Sequence, residues 1–427
     1  MEKVFLSGWH WECLVDQDTV MEEVSVDSVA EAEVLADSQV EVAGALEAVA
    51  PGDPGNINPM MRIHLIKFSL YILWLSVWGS NSVVAQSNDT STLRIIFAGD
   101  LMGHDGQIKS AWNEKSKSYQ YDTCFSMIKD LVSNADIAML NLEVTLAGEP
   151  YKGYPQFSSP DEVAIAAKNA GFDIFITANN HSLDGGKKGL ERTIDVLDNN
   201  GIIRTGTFRD SIQRAVEYPL IIEKNSIRLA ILNYTYGTNG LVVRPPNIVN
   251  YIDTSLILQD IAKAKLAEPD FIFVTLHWGL EYQRIENKQQ QELAAFLIKS
   301  GADAIIGSHP HVIQPIRKYY NNPGDSSSYN LVVYSLGNFI SNQGDRYRDG
   351  GLMVEVELQK SEDTKVTGYK THPVFVYKPS KPGGGEVFVL LPSNERESMI
   401  SRFNMPESDQ LYYNTFTEDT ELHLKEK

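Results

Sequence analysis

From Leu93 onward the chain alternates short apolar runs with amphipathic stretches. Ile95-Ile96-Phe97-Ala98 has the continuous apolar character of a buried strand, and it breaks at Gly99 so that Asp100 and His104 stand just past its end. Four later runs stop in the same way, at Asn, Glu or His: DIAMLNLE (136–143), FDIFITANNH (172–181), FIFVTLHWGLEY (271–282) and ADAIIGSHPH (302–311). Helical spacings lie between them. Phe125, Ile128, Leu131 and Val132 predict a helix near Asp122–Ser133. Ser159-Pro160-Asp161-Glu162 carries helix-start signals, and Gly171 is a fitting stop. Leu190, Ile194 and Leu197 share one face of a further helix, and two more are expected over 254–267 and 288–300. Strands alternating with helices argue for a parallel sheet, in which ligands bind beyond the carboxyl ends of the strands. Such a sheet would bring the five polar ends together.

The pattern changes after the first half. EYPLIIEKNSIRLAILNYTY (217–236) reads as a hairpin turning near Lys224-Asn225, so the second half is expected to be mixed. Residues 312–320 and 330–340 are strand candidates flanking a polar loop, Asn321–Ser328. GGLMVEVELQK (350–360) alternates with period two, as a half-exposed strand does. Beyond it, PVFVYKP and GEVFVLLP are short strand pieces split by residues 381–385, and the polar tail reads as a peripheral extension.

Composition narrows the class. The chain has 427 residues, 43% of them hydrophobic, which is ample for a large globular core. Of its formal charge of −19, residues 1–60 hold −12, from thirteen acidic residues against the single Lys3. The balance argues against nucleic acid or anionic lipid as partner, since either needs a positive patch. Residues 61–85 (MRIHLIKFSLYILWLSVWGSNSVVA) give a basic start, an apolar stretch of twelve from Phe68 to Gly79 and a small-residue site at Val83-Val84-Ala85. That is a signal peptide cleaved after Ala85, with an uncleaved anchor as the other reading; a span needs about 20 apolar residues, so no membrane span is expected in the mature chain. Translation from Met60 or Met61 would make residues 1–60 an over-extended gene model, and otherwise they read as a disordered acidic region. The mature protein is thus expected to be exported, to the periplasm, cell surface or medium. Only Cys13 and Cys124 occur, so the mature chain has no internal disulfide, and Cys124 reads as a core residue.

Nine histidines occur, and five of them (His104, His181, His277, His309 and His311) lie at predicted strand ends. Together with Asp100, Glu143 and Asn180 they make a mixed imidazole and carboxylate set of the kind that suits Zn, Mn or Fe. In His309-Pro310-His311 an extended backbone would point both rings the same way, at one centre or two adjacent ones. Asn179-Asn180-His181 reads either as a turn with capping amides or as a carboxamide on a metal beside an imidazole facing substrate. Glu281, Tyr282 and Asn338 are candidates to line a substrate cleft, and Trp278 reads as either cleft or core. Arg317, Arg346 and Arg348 are anion contacts or solvated surface charge.

GDLMGH, NLEVTL, ANNHSLDGG, LHWGLEY, GSHPHVIQP and SLGNFI, in this order over about residues 92–345, resemble the CapA family of capsule synthesis proteins. That family is associated with poly-γ-glutamate capsules and is related in fold to the calcineurin-like metallophosphoesterases. The resemblance implies a four-layer α/β/β/α sandwich with mixed sheets, formed by residues 92–345 and completed or extended by 346–427, and one or two divalent metals. It implies Asp100, Glu143 and His311 on a first metal, Glu143 where a bridging carboxylate lies, Asn180, His277 and His309 on a second, and His181 as general acid. The superfamily's His two residues after the first Asp is Met102 here, with His104 two residues further as a substitute ligand, and the bridging residue is a Glu. The implied function is an exported metal-dependent hydrolase acting on an anionic polymer or a phosphoester, alongside capsule-synthesis membrane proteins. The rivals are a non-catalytic surface factor that guides an anionic polymer and a phosphodiesterase with no link to capsule.

Overall fold

A computed structural model describes residues 90–320, 328–380 and 385–425. The acidic N-terminal region, the signal segment, most of the 321–328 loop and most of the 381–385 break lie outside the described residues.

Two mixed sheets stack face to face. The first contains β1 (Ser91–Leu101), β2 (Ile137–Leu142), β3 (Ile174–Ile176) and β4 (Ile203–Thr205), all parallel. The second contains the hairpin β5 (Leu220–Lys224) and β6 (Ile227–Thr235), then β7 (Phe271–His277), β8 (Ala304–Ser308), β9 (Ile316–Tyr320) and β10 (Tyr329–Val333). The first sheet is completed by β11 (Asn338–Ile340), β12 (Gly350–Lys360), β13 (Thr364–Tyr377) and β14 (Val389–Pro392). Strand order is β14-β13-β12-β1-β2-β3-β4, with β11 on the end of β1, and β9-β10-β8-β7-β6-β5 in the second sheet.

Alternate residues of these buried strands serve opposite faces of each sheet. Leu93, Ile95 and Phe97 of β1 and Met139 of β2 share the layer between the sheets with Leu229 and Ile231 of β6 and Phe273 of β7. The rings of Phe97 and Phe273 meet there at 5.1 Å. The intervening residues face outward. Ile96, Ala98, Leu140 and Phe175 pack under helices α1 (Glu162–Asn169) and α2 (Gly186–Asn199), and Leu232, Ile272, Val274 and Ile305 under α3 (Thr254–Leu266) and α4 (Lys288–Ser300). The result is the α/β/β/α sandwich with mixed sheets. Each such Ile, Leu or Phe contributes roughly 1.5–3 kcal/mol by leaving water.

Several local expectations change. The helix expected over 122–133 is two short pieces, Asp122–Phe125 and Lys129–Ser133. The apolar run 330–340 is two strands in different sheets, because the chain turns at Tyr334–Gly337 and crosses from β10 to β11. The strand expected from 312 begins at Ile316. Strand β12 is almost wholly buried rather than half-exposed, since it lies between β1 and β13 and Glu355 is covered by its cross-strand partner Lys370, 3.0 Å away. The C-terminal residues, expected as a peripheral tail, form helix α5 (Glu407–Lys425), whose Tyr413 and Phe416 pack on Phe375 of β13. The five polar strand ends converge from both sheets, β1, β2 and β3 on one side and β7 and β8 on the other, rather than from a single parallel sheet.

Candidate metal centre

Asp100 lies at the end of β1, where the register shifts at Gly99. A Cβ at Gly99 would come within 2.0 Å of the Gly337 carbonyl, so only glycine lets β11 close on β1 here. Asp100 then stands between Asn141 of β2 and Asn338 of β11, its partners in register. Glu143 follows β2 directly, and its backbone N–H donates to the Leu101 carbonyl at 3.0 Å. His277 ends β7 beside Ser308, the end of β8. The next turn carries His309 and His311, with φ of 102° and 57°. Their backbone has positive φ at both positions rather than being extended, and the Tyr282 N–H fixes the turn by donating to the Pro310 carbonyl at 2.7 Å.

These side chains form two triads that share Glu143. Ligand atoms of Asp100, Glu143 and His277 lie within 4.8 Å of one another, and so do those of Glu143, His309 and His311. His311 Nδ1 is 3.0 Å from Asp100 Oδ2, His277 Nε2 is 3.4 Å from Glu143 Oε1, and His277 Nε2 is 2.9 Å from Asn180 Oδ1. All of these residues are buried. Among the described residues neither Glu143 oxygen has a hydrogen-bond partner, and His309 Nδ1 has none either. Burial, then the charge of Asp100, pushes the Glu143 carboxyl well above the usual range. Burial, then His309 and His311, pulls His277 well down, and burial with His311 pulls His309 down to about 3. Leaving such groups buried and unpaired costs several kcal/mol in total. Imidazole and carboxylate donors with free lone pairs are what a divalent cation needs, so the residues fit a metal.

His181 stands beside this set. Its Nδ1 is 2.7 Å from Asp184 Oδ2, which also accepts the Phe157 N–H at 2.6 Å, and its ring meets the edge of Phe157 at 4.6 Å. The two asparagines before it divide the work. Asn179 is a tying amide, donating to the Leu142 carbonyl at 2.7 Å, whereas Asn180 faces His277. His104 joins neither triad: it precedes the 105–111 helix, its Nδ1 is 3.1 Å from Gln107 Oε1, and its ring touches Phe157 at 5.2 Å. Burial pulls it down to about 4. Tyr282 is half exposed with its ring 6.2 Å from His311, and the charge of Glu281 reaches Glu143. Asn338 uses its amide to hold the Gln343 side chain and the Arg348 carbonyl, at 3.0 and 2.9 Å. Arg317 pairs with Glu286 and Arg346 with Asp419, while Arg348 pairs with Asp345 and lies over Tyr282. Trp278 belongs to the core, stacked on Tyr334.

Sequence reasoning passes over three residues of the site. Asn141 donates to Asp100 Oδ1 at 2.8 Å and reaches to 3.3 Å from His277 Nδ1; its signal is a polar residue inside a buried run. Asp184, three residues after His181, reads only as part of a turn. Tyr236 lies against His309 at 4.5 Å and offers no distinct signal.

The family model for the bacterial capsule synthesis protein PGA_cap matches residues 94–343, more than half of the chain. The chain belongs to this family. Among relatives of this PGA_cap member, the capsule biosynthesis protein CapA of Bacillus anthracis is 28% identical over 314 residues, 69% of this chain and 72% of that protein. The PGA biosynthesis protein CapA of Bacillus subtilis is 27% identical over 324 residues, covering 72% and 80%. Among solved structures, the calcineurin-like phosphoesterase YfkN of Bacillus subtilis aligns with 66% of this chain and 91% of that one, at 14% identity and a TM-score of 0.35.

Proposed function

We propose that this family member is an exported, metal-dependent hydrolase that processes an anionic capsule polymer of the poly-γ-glutamate kind. The observation that carries the reading is the pair of buried triads sharing Glu143, whose oxygens lack hydrogen-bond partners among the described residues, beside the His181–Asp184 pair. Export rests on the composition of residues 61–85; among the described residues no helix is long and apolar enough to cross a membrane. Asp100, Glu143, Asn180, His277, His309 and His311 would hold one or two ions of Mn, Zn or Fe. Such ions supply Lewis acidity and a water nucleophile at neutral pH. The protein's own part is positioning and proton transfer. Asp184 engages Nδ1 of His181, which leaves Nε2 to hand a proton to the departing oxygen or nitrogen. Glu281 and Tyr282 lie at the edge of the set, where substrate would enter.

The test is turnover by the full chain, loaded with each metal, of a chromogenic phosphodiester and of γ-linked glutamate oligomers. His181→Ala should lower kcat by roughly 10²–10⁴ with metal content unchanged. Absence of turnover by the wild type with every metal would refute hydrolysis and favour a factor that only holds the polymer.

A further inference from the structure

Cations around the site are mostly neutralised. Arg317, Arg346 and Arg348 each pair with a carboxylate, whereas Lys378 makes no ion pair among the described residues. It is half-buried just past β13, and its Nζ donates to Asn342 twice, to the backbone carbonyl at 3.3 Å and to Oδ1 at 3.1 Å. The Asn342 N–H in turn donates to His104 Nδ1 at 3.3 Å. Glycine at 106 leaves room for the Asn342 side chain, since a Cβ there would come within 2.7 Å of Asn342 Nδ2. The other side of the His104 ring lies 5.2 Å from Phe157, whose ring meets His181 at 4.6 Å, so the run Lys378–Asn342–His104–Phe157 leads to the His181 end of the metal set. Glu386 and Asp349 act on Lys378 through space without reaching ion-pair distance.

We propose that Lys378, Asn342 and His104 form a subsite for an anionic group of the substrate, a carboxylate or phosphate borne beside the bond to be cleaved. The inference rests on the reading of an anionic polymer as substrate. It accounts for how a protein of net negative charge takes a polyanion: one unneutralised ammonium and neutral donors meet a single charge of the chain. It also gives His104 a place outside the triads.

The experiment is calorimetric binding to the metal-loaded full chain carrying His181→Ala, so that no turnover intervenes. The probes are a γ-linked glutamate oligomer, its neutral methyl ester and an oligo(glycerol phosphate). Adding Lys378→Gln should weaken an anionic probe about tenfold and leave the ester unchanged, with Lys378→Arg restoring most of the loss. Whether the carboxylate or the phosphate probe responds identifies the anion. Equal affinities with and without Lys378→Gln, or no binding of either anion, would overturn the subsite. Binding that depends on Lys378 in a protein whose wild type hydrolyses nothing would instead refute hydrolysis and leave the subsite standing.

Discussion

Replacing Asp184 by Asn separates positioning from metal binding. Asp184 is buried, and a single oxygen, Oδ2, serves both the Phe157 N–H at 2.6 Å and His181 Nδ1 at 2.7 Å. Its other oxygen has no hydrogen-bond partner among the described residues. An Asn with its carbonyl in the Oδ2 place therefore keeps both contacts, loses the charge and sets a buried NH2 in the place of the partnerless Oδ1, whose cost falls on stability. Hydrogen bonds to charged groups contribute about 1.5–3 kcal/mol and neutral ones about 0.5–1.5, so the difference is about 1–2 kcal/mol. If that difference is expressed in the transition state, kcat falls roughly 5- to 30-fold. Asp184→Ala should cost more, because it also strips the buried Phe157 N–H of its acceptor, about 1–3 kcal/mol of stability. The assay is phosphodiester hydrolysis with parallel metal analysis and urea unfolding. Wild-type kcat in Asp184→Asn, alongside an inactive His181→Ala, would refute the positioning role.

In chelator, the contribution of His309 to the unfolding free energy should fall as pH drops from about 6.5, because folded His309 is held near 3 and binds fewer protons than in the unfolded chain; between pH 6.5 and pH 5 its share of the loss is about 1.6 kcal/mol. Glu143, raised in the folded state, acts the other way: its contribution is present at low pH and lost as pH rises through its raised value. Urea melts of wild type and His309→Gln across this range read the difference, and identical slopes would contradict the assignment. Phe416→Ala, which opens a hole between α5 and β13, should cost about 3–5 kcal/mol in the same melts while leaving metal content intact.

Much of the site is legible because its polar side chains stand at or just past the ends of apolar runs, and the ends of buried strands are where polar groups can be held without being solvated. The run from Ile95 to Ala98 and the run ending at His277 announce themselves in this way. Pairing partners are not a local property, however. Residues 330–340 look like one strand because both halves are buried, and only the turn through Gly337, with φ of 71°, sends them to different sheets. Strand β12 looks half-exposed because Glu355 and Glu357 alternate with apolar residues, and its cover by Lys370 comes from a neighbouring strand. His309 and His311 suggest an extended segment because Pro310 lies between them, but the observed turn depends on a hydrogen bond from Tyr282, distant in sequence. Asn141 and Asp184 act on other site residues, and such roles have no residue-type signature.

The proposed centre, in which Glu143 would serve both triads, is tested most directly by metal content, measured by plasma mass spectrometry on the full chain purified without chelator. The wild type should carry about two ions per chain, His309→Ala about one, and Glu143→Ala close to none, because Glu143 belongs to both triads. Two ions retained in Glu143→Ala, or none in folded wild-type protein, would contradict the account.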